Sequence, residues 1–465
     1  MKKRFVALAM MAVLTVGMIA GCGNGDGGSG DSGNTDAGNN TDAGSQTQQT
    51  PEQTEAPADN AGDDAGDQAD ASGEGTEITV WAWDAAFNGY ALEEAQKIYG
   101  DGVKVNFVEM AKADCLQKIH TTLASGVTDD LPDVVLISDL NAPGYLMSYP
   151  GAFRSMEDMI NYEDFASYKK SMVSYDGVSY GVPFDTGVAG LFYRTDYIEE
   201  AGYTAEDMQD LTWEEYLALG EKLKENGHML QTYNPNDIAE FQIMLQSAGK
   251  WFTDADGKAD FVDNAALKEC YDIFKTLNDS DYVKVVSDWT EFAGAINGGD
   301  VACVLRGSWI SSTIIQGEDQ SGKWAVAPVP KLSVEGATHY SNQGGSSWFV
   351  LANSKNSDAA ADFMAKTFGS STELYNTLLG EKNIMGTYLP ASSAEAYSVG
   401  SEFYGGQTVN ADLADWLGQI PEVPTGAFSA EAQAALVGVT PDILSGGDLD
   451  AALATAAEQF EQSIQ

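Results

Sequence analysis

Positive charge is scarce in this chain: 24 Lys and Arg stand against 70 Asp and Glu in 465 residues, a formal net charge of −46. Such a surface repels phosphate backbones and anionic lipid headgroups, which excludes nucleic acid and acidic membranes as charge-matched partners. Histidine is rarer still, and His120, His228 and His339 have no metal-ligand spacing. The four cysteines, Cys22, Cys115, Cys270 and Cys303, are too few and too irregularly placed for a disulfide framework or a metal knuckle. Cys115 and Cys270 fall in helical patterns and Cys303 in a strand-like one, so they read as buried apolar thiols, with one disulfide pair left open. No G-x-S-x-G, Walker loop or H-E-x-x-H occurs, which removes the enzyme classes those motifs define. Paired carboxylates of a glycosidase leave no pattern, so that class stays open on this ground. Asp254-x-Asp256-Gly257-x-x-Asp260 has its glycine out of place for a calcium loop and no Glu at the twelfth position, so it reads as a polar turn. No metal and no cofactor is predicted.

Residues 24–75 contain no Val, Ile, Leu, Met, Phe, Trp or Tyr, and no Lys or Arg. Without apolar surface the segment has nothing to bury, and it reads as a flexible acidic linker with a reach of roughly 40 Å. Before it, Lys2, Lys3 and Arg4 precede an apolar run from Phe5 to Ala20, short for a membrane span and suited to a signal peptide over 1–21. Ile19-Ala20-Gly21-Cys22 resembles a bacterial lipobox, which implies lipidation at Cys22. Two acyl chains suffice for stable attachment, so the exported chain is expected at the outer face of the cytoplasmic membrane.

The rest, 43% hydrophobic and 10% aromatic over the whole sequence, is long enough for large cores. Ile78 to Trp83 reads as a strand. Ala91, Leu92, Ala95, Ile98 and Tyr99 mark a helix face, Val103 to Val108 a strand, Ala111 to Ala124 a helix, and Leu131 to Ile137 a strand buried on both faces. This alternation predicts a parallel sheet with covering helices and a ligand beyond the strands' carboxyl ends, where Trp83-Asp84 and Ser138-Asp139 stand. Tyr180 to Gly202 reads as extended chain, a polar flexible crossing at Phe184 to Gly187, a strand at Leu191 to Arg194, and a helix stopped by Gly202. Thr212-Trp213-Glu214-Glu215 is a capping box, with Leu211 and Tyr216 as a hydrophobic staple and Gly227 as the stop.

These segments, with Asn297 to Trp309 (NGGDVACVLRGSW), Trp324 to Leu332 (WAVAPVPKL), Gly344 to Leu351 (GGSSWFVL) and Gly386 to Pro390, resemble in order and spacing the family 1 extracellular solute-binding proteins, the maltose-binding-like lipoproteins of carbohydrate ABC importers. The likeness covers about Glu77 to Gln465, and VWAWD with FYRTDYIEEAG is most similar to the lactose or arabinose type. It implies an α/β, two-lobed periplasmic-binding-protein-like fold, each lobe a central sheet flanked by helices. One lobe is expected at 76–185 and 331–386, the other at 186–330 and 387–465, with 22–75 as tether. The hinge is expected at Phe184 to Gly187, Ala327 to Pro330 and Thr387 to Pro390.

The function implied is binding of a carbohydrate between the lobes by hinge closure and its delivery to membrane permease subunits, without catalysis. A non-sugar solute such as a sugar phosphate, or a lipid-anchored glycosidase, is the alternative. A sugar offers an apolar C–H face and a rim of hydroxyls, so its site needs aromatic planes with carboxylates, amides or Arg around them. Strand ends and glycine turns nominate Trp83, Asp84, Asp139, Phe184, Asp185, Arg306, Trp309, Gly344, Gly345 and Trp348. Trp309 matches the family's Gly-x-Trp stacking position, and the resemblance implies that Asp139 and Asp185, with Asp84 behind them, accept hydroxyls, against a cap or turn role for each. Trp251, Trp289, Tyr388 and Phe428 are further candidates, balanced against core packing.

Overall fold

A computed structural model describes residues 75–127 and 131–464. The expected signal peptide, Cys22 and nearly all of the linker lie outside the described residues. Strands β1 (Thr76–Ala82), β2 (Val103–Glu109) and β3 (Val134–Ser138) pair in parallel, β1 at the centre. Helices α1 (Tyr90–Tyr99) and α2 (Lys112–Ser125) fill the connections, as the alternation predicts. Ala91, Leu92 and Ala95 point inward, and every residue of β3 is buried.

The sheet then departs from a purely parallel one. Strand β4 runs through Gly181–Arg194 without a break, β5 is Cys303–Gly307, β6 is Trp324–Ala327 and β7 is Asn342–Val350. The order is β6-β4-β7-β3-β1-β2, with β5 also on β4. Strand β7 pairs antiparallel with both β3 and β4, and β5 and β6 pair antiparallel with β4. The flexible crossing expected at Phe184 to Gly187 is therefore corrected to the middle of a long strand. Its backbone is held by Asp185 opposite Ser346 and Thr186 opposite Gly345, and on the other side by Thr186 N–H to Met385 O (3.1 Å) and Thr387 N–H to Phe184 O (2.9 Å). Pairing of this range reverses a local preference for loop.

Two apolar cores meet along β4. Phe192 and Val304 face one; Leu191, Tyr193, Cys303 and Leu305 face the other, the two-residue alternation of a strand covered on both sides. The first core takes Ala360, Phe363, Met364 and Phe368 around helix α9 (Ser357–Lys366). The second is closed by helices α5 (Trp213–Glu225), α6 (Ala239–Ser247) and α7 (Ala265–Asp279), and by the C-terminal pair Ser429–Leu444 and Leu449–Ser463. Helix α5 begins at the predicted capping box: Thr212 accepts from Glu215 N–H, and the Glu215 carboxylate accepts from Thr212 N–H at 2.9 Å. Gly227 follows it with φ +87°, the left-handed stop. Helix α8 (Trp289–Asn297) starts at Asp288, whose side chain accepts from Glu291 N–H. No helix among the described residues is long and apolar enough to cross a membrane.

Cys115, Cys270 and Cys303 are free and buried. The Asp254 motif is a turn in which Asp254 Oδ1 accepts from Asp256 and Lys258 N–H, both at 2.9 Å. No group of three or more His, Cys, Asp or Glu is placed to hold a metal among the described residues.

Candidate functional site

Trp309 sits in the turn after β5 with 40% of its surface exposed. Its Nε1–H donates to Gln343 O on β7 at 2.9 Å. That bond requires glycines: a Cβ on Gly307 would lie 2.5 Å from the indole nitrogen, and one on Gly187 would lie 2.0 Å from Gln343 O. Trp289, on the first turn of α8, is 54% exposed, and its ring centroid is 6.1 Å from that of Trp309 with 40° between the planes. Two large aromatic faces are thus open side by side, unusual for Trp, which is mostly buried.

Behind them lies a cavity of about 280 Å³. Its wall carries Arg306, whose Nη1 is 2.9 Å from Glu240 Oε1, both side chains nearly buried. Burial pushes the Glu240 carboxyl above its ordinary value, and the Arg306 guanidinium pulls it back. Arg306 also lies over the Phe292 ring at 5.1 Å. Asn234, Asp237, Asp288 and Gln343 complete the polar lining. The sequence singled out Trp289, Arg306 and Trp309 but missed Asn234 and Asp237, which lie in a loop, Glu240 at a helix start, and Gln343 on β7 just before the glycine pair.

Trp83 and Asp84 stand at the end of β1. Asp84 is exposed at φ +58° and accepts from Phe87 N–H at 3.1 Å, so part of its carboxylate serves a turn. Lys112 Nζ lies 5.7 Å from the Trp83 ring. Desolvation holds its ammonium below the ordinary value although the side chain reaches solvent, and the Asp185 and Asp139 charges oppose the shift. Lys112 is a second cation that the sequence reading missed, being the first residue of a helix with no distinguishing pattern. Asp185 is half-buried, and its Oδ1 accepts from Ser346 N–H at 2.8 Å.

Other nominated residues serve packing. Asp139 is 2% exposed, with Oδ2 on Lys169 Nζ at 2.6 Å and Oδ1 on Ser347 Oγ at 3.0 Å. Both its oxygens are occupied inside the protein, which corrects the expectation of a hydroxyl acceptor. Phe184 and Trp348 are fully buried 5.4 Å apart in the first core, with Phe368 against both. Trp251 is buried and donates Nε1–H to Ser429 Oγ at 2.8 Å. Tyr388 is 8% exposed and stacks on Tyr375 at 5.7 Å. Phe428 packs against the second core. Gly344 and Gly345 have φ of +101° and +105°; they kink β7 beneath Trp309 and act through their backbone.

A two-lobed α/β body whose open aromatic planes and ordered polar groups surround a cavity has the form of a solute-binding protein. Residues 82–398 match the family model for bacterial extracellular solute-binding proteins, and the chain belongs to that family and is an exported protein. It is 42% identical over 393 residues to a lactose-binding protein of Rhizobium radiobacter, covering 84% of this chain and 93% of that one. It is 25% identical over 263 residues to an arabinooligosaccharide-binding protein of Halalkalibacterium halodurans (54% and 57% covered). Among solved structures, an extracellular solute-binding protein of family 1 superposes with a TM-score of 0.71 at 17% identity, over 84% of this chain and all of that chain.

Proposed function

We propose that the chain is the carbohydrate-binding component of an ABC importer, taking a small neutral saccharide between its lobes and passing it intact to membrane permease subunits. The observation that carries this is the pair of exposed indoles, Trp289 and Trp309, beside the Arg306–Glu240 pair and Asp237. Stacking planes take the C–H faces of sugar rings, and fixed charged groups take the hydroxyls. The charge of the cavity favours a neutral ligand over a sugar phosphate: Asp237, Glu240 and Asp288 line it, and its Arg306 is already paired. The lactose-binding relative makes a β-linked disaccharide the first ligand to try.

The reading assigns contacts to Trp83, Asp84, Asp185, Arg306, Trp309 and Trp289, and adds Lys112. Lobes over 76–185 with 331–386 and 186–330 with 387–465, a hinge at the three crossings, lipidation at Cys22 and the tether over 22–75 belong to the same reading.

Titration calorimetry against lactose, arabino-oligosaccharides, maltose and sugar phosphates, with chromatography of the recovered ligand, tests it. Saturable binding of one neutral sugar returned unchanged is expected. Hydrolysed sugar turns the reading to a glycosidase, and binding of the phosphates alone turns it to an anionic solute.

A further inference from the structure

Beneath the proposed site lies an ammonium group wholly inside the protein. Lys169, on helix α3 (Ser167–Met172), is 0% exposed. All three of its donor hydrogens are satisfied: Nζ lies 2.6 Å from Asp139 Oδ2, 2.9 Å from Asp185 O and 3.0 Å from Ser346 O. Asp185 on β4 and Ser346 on β7 are register partners, so a single ammonium ties two strands by their carbonyls and ties both to Asp139 at the end of β3. Asp139 N–H donates in turn to Gly345 O at 3.1 Å. Gly345 leaves the room: a Cβ there would lie 2.5 Å from Asp139 Oδ2 and 2.9 Å from Asp185 O.

Both strands then run from this knot to Trp309. On β7 the next residue back is Gly344, where a Cβ would lie 3.5 Å from the Trp309 nitrogen, and the one before is Gln343, whose carbonyl takes the indole N–H. On β4, two residues after Asp185, Gly187 donates its N–H to Asn342 Oδ1 at 2.9 Å, and a Cβ there would lie 3.0 Å from Trp309 Cδ1. The Asp185 carboxylate is fixed by Ser346, the same residue whose carbonyl Lys169 holds.

We infer that Lys169, with Asp139, is a positioning residue of the binding site: it fixes the Gly-Gly kink of β7 against β4 and so sets the Asp185 carboxylate and the Trp309 plane. An apolar pair of similar size would pack here at no greater cost than a desolvated ion pair; what it lacks is directed bonds to two carbonyls and a carboxylate. The inference rests on the proposal that ligand lies against Trp309, and its test has one readout that does not need ligand.

The full chain is labelled with 5-fluorotryptophan, and fluorine resonances of the nine tryptophans are assigned by single Trp→Phe replacements. In Lys169→Met the Trp309 resonance is expected to move while those of Trp213 and Trp251, in the second core, stay in place. Lactose affinity is expected to fall at least tenfold. Should Lys169→Met not fold, the same measurements are made on Asp139→Leu/Lys169→Met, in which no charge is left unpaired. That pair is expected to recover melting temperature but neither the Trp309 resonance nor the affinity. A folded variant with wild-type Trp309 resonance and lactose affinity overturns the inference and leaves Lys169 as core support. If the unmutated chain binds no saccharide, the functional reading fails, and the fluorine resonance alone still decides the role of Lys169.

Discussion

Trp309 stands two residues after Gly307 and Trp348 three residues after Gly345, yet the first is open and the second sealed. Trp309→Ala is expected to weaken saccharide binding at least tenfold, about 1.4 kcal/mol or more, with little change in melting temperature. Trp348→Ala is expected to do the reverse, losing about 3–5 kcal/mol of stability through the cavity it leaves while the folded fraction binds normally. Calorimetry with thermal melts on both variants separates the two. At the same scale, burial pushes the Cys115 thiol up to about 11 and the Cys303 thiol to about 12, with Cys270 raised as well. The thiolate is the reactive form, so at pH 8 iodoacetamide is expected to leave all three unlabelled in the folded protein and to modify them in denaturant, as peptide mass mapping reads.

Helix α5 shows what an element gains from its first turn. The Glu215 carboxyl is held below its ordinary value by the Thr212 backbone N–H and then the Thr212 hydroxyl. A carboxyl whose folded value is depressed contributes stability above its unfolded value and loses it as pH falls through the folded one. Thr212→Ala removes the hydroxyl but keeps the backbone N–H, so it is expected to cost about 1 kcal/mol near neutral pH and to lessen only in part the decline in stability on acidification through the carboxylate range, as urea titrations at several pH values measure. The element β4 has another kind of dependence. Its first half is buried against β7 and its second half lies between β5 and β6, so one strand joins both ends of the seven-stranded sheet.

At the scale of the molecule, ligand seated between two lobes favours the closed arrangement by its differential affinity for it. Saturating saccharide is expected to reduce the radius of gyration in small-angle scattering, and Trp309→Ala is expected to shift that change to higher concentration. A profile unchanged at saturation would count against hinge closure. The net charge of −46 bears on encounter as well: neutral sugars approach without steering, so their association rate is expected to vary little with salt.

Local patterns determined much of this in advance. The alternating strands and helices of the first lobe, the capping box, the glycine stops and the buried thiols follow from period, propensity and small side chains, all of which act over a few residues. Arg306 was legible at a strand end after a glycine turn, and Trp309 through its likeness to the family's Gly-x-Trp position, since the same local pattern also marks the buried Trp348. Tertiary structure decided the rest. Phe184 to Gly187 looks like a loop until β7 and the 385–387 segment satisfy its backbone, and Asp139 looks like a ligand group until Lys169, thirty residues away, occupies it. Glu240 and Gln343 have no signal of their own because their roles come from Arg306 and Trp309, which approach them across 66 and 34 residues. A sequence specifies which groups a strand end presents; whether such a group meets solvent or a buried partner depends on chain brought from far away, and no local period encodes that.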